Sequence, residues 1–424
     1  MIKGLFNFIK SSPSAYHTVA SVKARLMADG YVELEEGERI PQSGCGKYYV
    51  TRNGSSIIAF RTSADPRGFM IVASHSDSPA FRLKMSEDIT SSAYATLDVE
   101  RYGGMIMYSW LDRPLSVAGR VVVDTEEGVE ERLVSLDRDL AVIPSVAIHL
   151  NRGVNDGYKF NPARDMLPLY ALGEHATVLD AVADELGVCK DRILSHDLFL
   201  FNREEPRRFG ADGELILAPR LDDLGCVFSS LEAFLASDDS AAVPVLAVFD
   251  NEEVGSDTKQ GAASGFLDDT LAMIGGENYA RMLRSSFMVS ADNAHARHPN
   301  HPELSDAANA PTLGGGVVVK YNANQKYATD GLSASVFGKL ARISGAKIQT
   351  YYNRADLPGG STLGSISDTR VGISTVDIGL PQLAMHSANE TAGASDVAEM
   401  VKILTAFYSA SLERNGMTVK INAK

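Results

Sequence analysis

Residues 243–253 read VPVLAVFDNEE, seven apolar residues followed at once by Asp250, Asn251, Glu252 and Glu253. A short apolar run without alternation reads as a strand covered on both faces. The same figure recurs along the chain. FMIVAS (69–74) runs into His75, Ser76 and Asp77; FMVS (287–290) runs into Ala291 and Asp292; STVDI (374–378) opens a stretch that runs through LPQLAM into His386. Helical spacing of apolar residues is expected over 221–237, 327–344 and 395–413, the last carrying Val397, Met400, Val401, Leu404, Phe407 and Tyr408. Strands alternating with helices predict an α/β fold, a mostly parallel sheet flanked by helices. In open sheets of this kind ligands bind at the carboxyl ends of the strands. Four strand ends carrying His, Glu-Glu, Asp and His are therefore expected to converge.

The region from about 85 to 219 reads differently. GRVVVDTEEGVEERLVSL (119–136) has the pattern of a β-hairpin turning near Glu127 and Gly128, amid short strands and irregular loops. The expected organisation is an α/β domain from 1–85 plus 220–424, with a β-rich domain, 86–219, inserted at a surface loop.

A length of 424 residues fits two domains at roughly 100–200 residues each. The net charge of −14 disfavours nucleic acid and anionic membranes. No apolar run approaches the roughly 18 residues of a membrane helix. The opening MIKGLFNFIKSSPSAYH is interrupted by charge and Pro13, so it reads as the first helix of the mature protein rather than a signal peptide. Cys45, Cys189 and Cys226 form no CxxC pair and are expected as buried small hydrophobes in a reducing, cytoplasmic setting.

Two imidazoles with several carboxylates and no thiolate suit zinc, manganese or cobalt. The carboxylates are too many for one tetrahedral ion, whereas two ions sharing one bridging carboxylate would use them all. Asp222, in APRLDDLG (218–225) at a helix start, is the natural bridge. Taken singly each piece has a plainer reading: HxD occurs by chance, paired glutamates usually sit in solvated loops, and a lone histidine is usually structural. Together they leave unexplained why apolar strands repeatedly deliver charge to one edge, where desolvation is costly unless the charges are paired or metal-bound. His295, His298 and His301 cannot form one helical metal face, because Pro299 and Pro302 break it. Gly314–Gly316 lacks the Lys-Ser/Thr of a phosphate loop, the glycines at 359–360 read as a tight turn, and no GxSxG elbow is present.

The blocks ASHSDSPAFRLK (73–84), APRLDDLG, FDNEEVGS (249–256), SADNAHARHPN (290–300), VKYNANQKYATDG (319–331) and PQLAMHSANE (381–390) resemble, in order and over nearly the whole chain, the aspartyl aminopeptidase family of dinuclear zinc peptidases. That resemblance implies His75, Asp222 and Asp292 on one zinc and Asp222, Glu253 and His386 on the other, with Co2+ or Mn2+ able to substitute. It implies Glu252 as general base, with Asp77 orienting His75. His295, Lys320 and Tyr327 would hold substrate, Lys320 pairing with an acidic first side chain, and His149 would reach a neighbouring subunit's site. Peptide substrates, dimers and dodecamers follow from the same resemblance. The family usually has threonine where Ser76 stands and asparagine where Asp223 stands; neither is a ligand position. Two rival classes remain: another metal amidohydrolase of the same fold, such as a carboxypeptidase or deacylase, and a non-enzymatic assembly protein, which would be expected to have lost ligands or base.

Overall fold

The computed structural model describes residues 1–40, 46–62, 65–90, 93–173, 175–357, 359–360 and 362–423, apart from the side chains at 86, 87 and 90. Cys45 and position 361 lie outside these residues.

All four expected strands form and lie side by side in a nine-stranded sheet, in the order Val243–Phe249, Phe69–His75, Phe287–Ala291, Ser374–Gly379. These four are mutually parallel. The sheet as a whole is mixed: among the described residues, five of its eight strand pairings are parallel and three antiparallel. Ser56–Thr62 pairs antiparallel with Val243–Phe249 on one flank, and Val317–Tyr321 antiparallel with Ser374–Gly379 on the other. The runs show no alternation because both faces are covered. Phe69, Ile71 and Ala73 pack with Phe266 and Leu363 on one side, whereas Met70 and Val72 pack with Leu224, Val397 and Phe407 on the other. At about 1.5–3 kcal/mol for each fully buried large side chain, this packing holds the strand ends rigidly against the mutual repulsion of the acids they carry.

Helices form at Leu221–Ala236, Gly331–Ser344 and Ala394–Tyr408. The second starts four residues later than expected because Asp330 and Ser333 build a capping box there. The third stops at Tyr408, and Ser411–Asn415 turns instead into a hairpin with Thr418–Asn422. The opening residues make helices Ile2–Lys10 and Ala15–Ala28, the second capped by Ser14. Among the described residues no helix is long and apolar enough to cross a membrane.

A second, six-stranded antiparallel sheet runs Gly128–Ser135, Leu115–Thr125, Ile193–Asn202, Ala80–Thr90, Tyr94–Tyr102, Leu169–Leu172. It has its own apolar cluster around Phe81, Trp110 and Leu198. The expected hairpin is present, with Thr125 paired to Gly128. A third sheet ties Arg207–Phe209 and Leu215–Ala218 to Glu390–Gly393, Pro381–Leu383 and Ala294–His295. Cys226 is buried as expected; Cys189 is exposed, in a loop before a short 3-10 turn rather than in a core.

Candidate metal centre

Phe249 stands opposite His75 in the parallel register, so these two strands end level and set down His75 and the 250–253 acids together. His75 Nδ1 lies 3.1 Å from the Asp77 carbonyl and 3.3 Å from Asp77 Oδ1. This turns Nε2 toward Asp222 Oδ1, 3.5 Å away. Asp222 and Asp223 begin the helix Leu221–Ala236 with non-helical dihedrals and a cis peptide bond between them. The Asp222 N–H donates to Glu390 Oε2 at 2.9 Å.

His386 does not continue a strand of the large sheet, as the sequence reading expected. That strand ends at Gly379, and His386 follows the short strand Pro381–Leu383 in a left-handed conformation, φ 66°. Its N–H donates to Glu390 Oε1 at 2.7 Å, and its Nδ1 meets the Gly104 carbonyl at 2.5 Å. Nε2 is thereby held 3.4 Å from both Asp222 Oδ2 and Glu253 Oε1. The two oxygens of Asp222 thus face different histidines. Glu252 and Glu253 form a 3-10 turn entered through Asn251 at φ 63°, a conformation asparagine tolerates better than most residues. Both their N–H groups donate to the Asp77 carboxylate at 3.2 Å.

Ligand atoms of His75, Asp222, Asp223 and Asp292 lie within 4.8 Å of one another, as do those of Asp222, Glu253 and His386. Those of His75, Glu252 and Glu253 do so as well. The donor chemistry fits a divalent metal. Each histidine has its Nδ1 engaged behind it and its Nε2 aimed inward, the usual arrangement of a ligating imidazole. Asp222 Oδ1, Asp223 Oδ1 and Glu253 Oε1 are buried and accept no hydrogen bond, a cost that a cation would remove.

The electrostatics agree. Burial pushes Asp223, Glu253 and Asp292 above the usual carboxylate range, Asp250 up to about 7 and Glu390 up to about 8. Glu252 is pushed up to about 8, first by burial and then by Asp292, Asp77 and Asp222 against the pull of His75. Asp222 differs: burial raises it, but the flanking imidazoles of His386 and His75 outweigh this and hold it well below the usual range. Burial lowers His386, yet Asp222 and Glu253 carry it up to about 10.

Of the expected substrate-binding residues, three come together. Lys320 Nζ faces the Tyr327 ring at 5.2 Å, and the Tyr351 ring lies 6.4 Å from Tyr327 and 6.3 Å from His295. Lys320 is only 2% exposed and its ammonium is engaged, donating to the Asp292 carbonyl at 2.7 Å and lying 3.6 Å from Asp292 Oδ2. It is not a free cation awaiting an acidic side chain. His149 lies apart, in an exposed turn. His298 and His301 sit in the expected loop, His301 paired with Glu303 at 3.0 Å. Sequence reading missed Asp223 within the cluster, Glu390 beneath it, and Tyr102 and Tyr351. Glu390 lay in a quoted block, four residues after His386; Tyr102 and Tyr351 carried no signal.

The profile described as aminopeptidase I zinc metalloprotease (M18) matches residues 8–408. A probable M18 family aminopeptidase 2 of Clostridium acetobutylicum is 42% identical, covering 96% of this chain and 98% of its own. A chain of the cryo-EM structure of the Ape4 and Nbr1 complex superposes with TM-score 0.91 at 35% identity, over 96% of this chain and 84% of that one. A subunit of the S. cerevisiae mApe1 dodecamer superposes with TM-score 0.84 at 26% identity, over 96% and 95%. The chain belongs to the M18 family of aminopeptidase I zinc metalloproteases.

Proposed function

We propose that this chain is a two-metal aminopeptidase that removes the N-terminal residue of peptides, preferring Asp or Glu. The observation that carries the reading is Asp222, whose oxygens stand 3.5 Å from His75 Nε2 and 3.4 Å from His386 Nε2. His75, Asp222 and Asp292 would hold one zinc, and Asp222, Glu253 and His386 the other. Bound there, the pair would supply an acidified water and polarise the scissile carbonyl. Glu252 takes the proton of the attacking water and returns it to the departing amine. His295 and Tyr327 donate toward the developing oxyanion. Lys320, buried and tied to Asp292, holds that carboxylate in place at the centre.

The test is a panel of N-terminal aminoacyl substrates with zinc, cobalt or manganese added separately. Free-amine substrates should be cleaved and their N-acetylated forms not, with Asp and Glu fastest and a chelator abolishing all turnover. Equal cleavage of acetylated peptides would favour the deacylase or carboxypeptidase reading. Full activity after exhaustive metal removal would end the metal reading.

Residues 1–85 with 220–424 would then be the catalytic unit, and 86–219 an inserted dimerisation unit of a homo-oligomer, in the cytoplasm. His149 lies between Ile148 and Leu150, which are 48% and 84% exposed, near Val146 at 57%. An exposed apolar run of this kind is a surface awaiting burial, and the mApe1 relative is a dodecamer. His149 would complete a partner's site. His149→Ala and Glu252→Gln should each be inactive alone, yet mixing them with subunit exchange should restore part of the activity, because one site per mixed dimer is whole. No recovery despite proven exchange would place His149 in its own chain's chemistry or outside it.

A further inference from the structure

Tyr102 ends the strand Tyr94–Tyr102 of the antiparallel sheet, with its ring edge-on to Phe199 at 5.5 Å. Its hydroxyl donates to Asp77 Oδ2 at 2.6 Å and accepts from Asn251 Nδ2 at 2.9 Å. Asn251 Oδ1 is itself fixed by Gln260 at 2.6 Å and Thr258 at 2.9 Å. The Asp77 carboxylate is the hub beyond: it faces His75 Nδ1 and accepts the N–H groups of Glu252 and Glu253. The residues just after Tyr102 reach the other half of the centre. The Gly104 carbonyl engages His386 Nδ1, and the Ile106 N–H donates to the His386 carbonyl at 3.0 Å. Gly103, at φ +74°, lies so close to Glu253 that a methyl there would stand 3.1 Å from its Cβ.

We propose that Tyr102 is a positioning residue, and that the segment 102–106 is a clamp through which the antiparallel sheet orients the histidines of both metal sites. This rests on reading His75 and His386 as ligands. The rear nitrogen of His386 meets this segment directly at the Gly104 carbonyl, and that of His75 lies 3.1 Å from the Asp77 carbonyl and 3.3 Å from Oδ1 of the Asp77 carboxylate that Tyr102 holds. A loop outside the nine-stranded sheet therefore sets the direction of both inward nitrogens and, through Asp77, the backbone of the Glu252–Glu253 turn. Groups behind ligating histidines typically carry about 10–100-fold in metal affinity.

The experiment titrates metal-free full-length protein with zinc by calorimetry and with cobalt by visible absorption, comparing wild type with Tyr102→Phe. Phenylalanine keeps the ring on Phe199 and removes only the hydroxyl. The expected result is zinc binding weakened about 10–100-fold at the His75 site, a changed cobalt spectrum, and a lower kcat at nearly constant KM, with metal-free melting temperature unchanged. Gly103→Ala should instead weaken the site of Glu253 and His386. Wild-type affinity and spectrum in both variants, with two ions bound by the wild type, would overturn the clamp and leave the metal reading standing. A wild type that binds no ion would overturn both. A metal-free Tyr102→Phe protein that melts far below wild type would show the hydroxyl to be a folding contact and overturn its positioning role.

Discussion

Asp222→Ala is expected to strip the protein of both metal ions at once and reduce turnover to background. In the proposed centre this single carboxylate would serve both sites, since each of its oxygens faces a different imidazole at 3.4–3.5 Å. On the proposed ligand sets, its loss would leave His75 and Asp292 for one ion and Glu253 and His386 for the other, two ligands each and too few for a tight zinc site. His75→Ala and His386→Ala make the contrast, because each removes a ligand from one site only. Metal analysis of dialysed protein should give about two ions per chain for wild type, near one for either histidine variant and near none for Asp222→Ala. A flanking carboxylate cannot produce that pattern by merely steadying the fold, because a structural defect would lower all three alike. Asp222→Ala protein that kept one ion with near-wild-type affinity would remove Asp222 from the bridge.

How much of this was legible in the sequence follows from what covalent adjacency can carry. An acid next to a buried strand is fixed in space by that strand, so His75, Glu252, Glu253 and Asp292 could be placed from the apolar runs before them. His386 was harder. It is positioned by a left-handed backbone, by Glu390 and by Gly104, and none of these shows in a hydrophobic pattern. Tyr102 was invisible because it stands on a different sheet and meets Asp77 only through tertiary packing. The mixed character of the large sheet was hidden for a related reason: a strand buried on both faces reads the same whichever way its neighbour runs. Lys320 shows the opposite failure. Its residue type was read as a ready cation, yet its position in a strand buried beside Asp292 commits the ammonium inside the protein.

The adjacent glutamates allow the sharpest separation of chemistry from binding. Glu253 Oε1 is buried without a hydrogen bond, 3.4 Å from His386 Nε2, as the proposed ligand role requires. Glu252 reaches the cluster through His75 and is pushed up to about 8 by burial and acidic neighbours, His75 opposing. Cations bound at the centre would lower it toward the range of a working base. Glu252→Gln keeps shape and removes proton transfer, so turnover should fall by roughly 10²–10⁴ with two ions still bound. Glu253→Gln should instead lose metal from the His386 site, with activity partly recovered at high zinc. The pH profile separates them further. A base must be ionised, so wild-type kcat/KM declines as pH falls through the pKa of Glu252, and that acid limb should vanish from the residual rate of Glu252→Gln while persisting in metal-saturated Glu253→Gln. If Glu252→Gln loses metal while Glu253→Gln keeps its ions but loses turnover, the two roles are exchanged. The geometry opposes this, because it gives Glu253, not Glu252, the contact with His386.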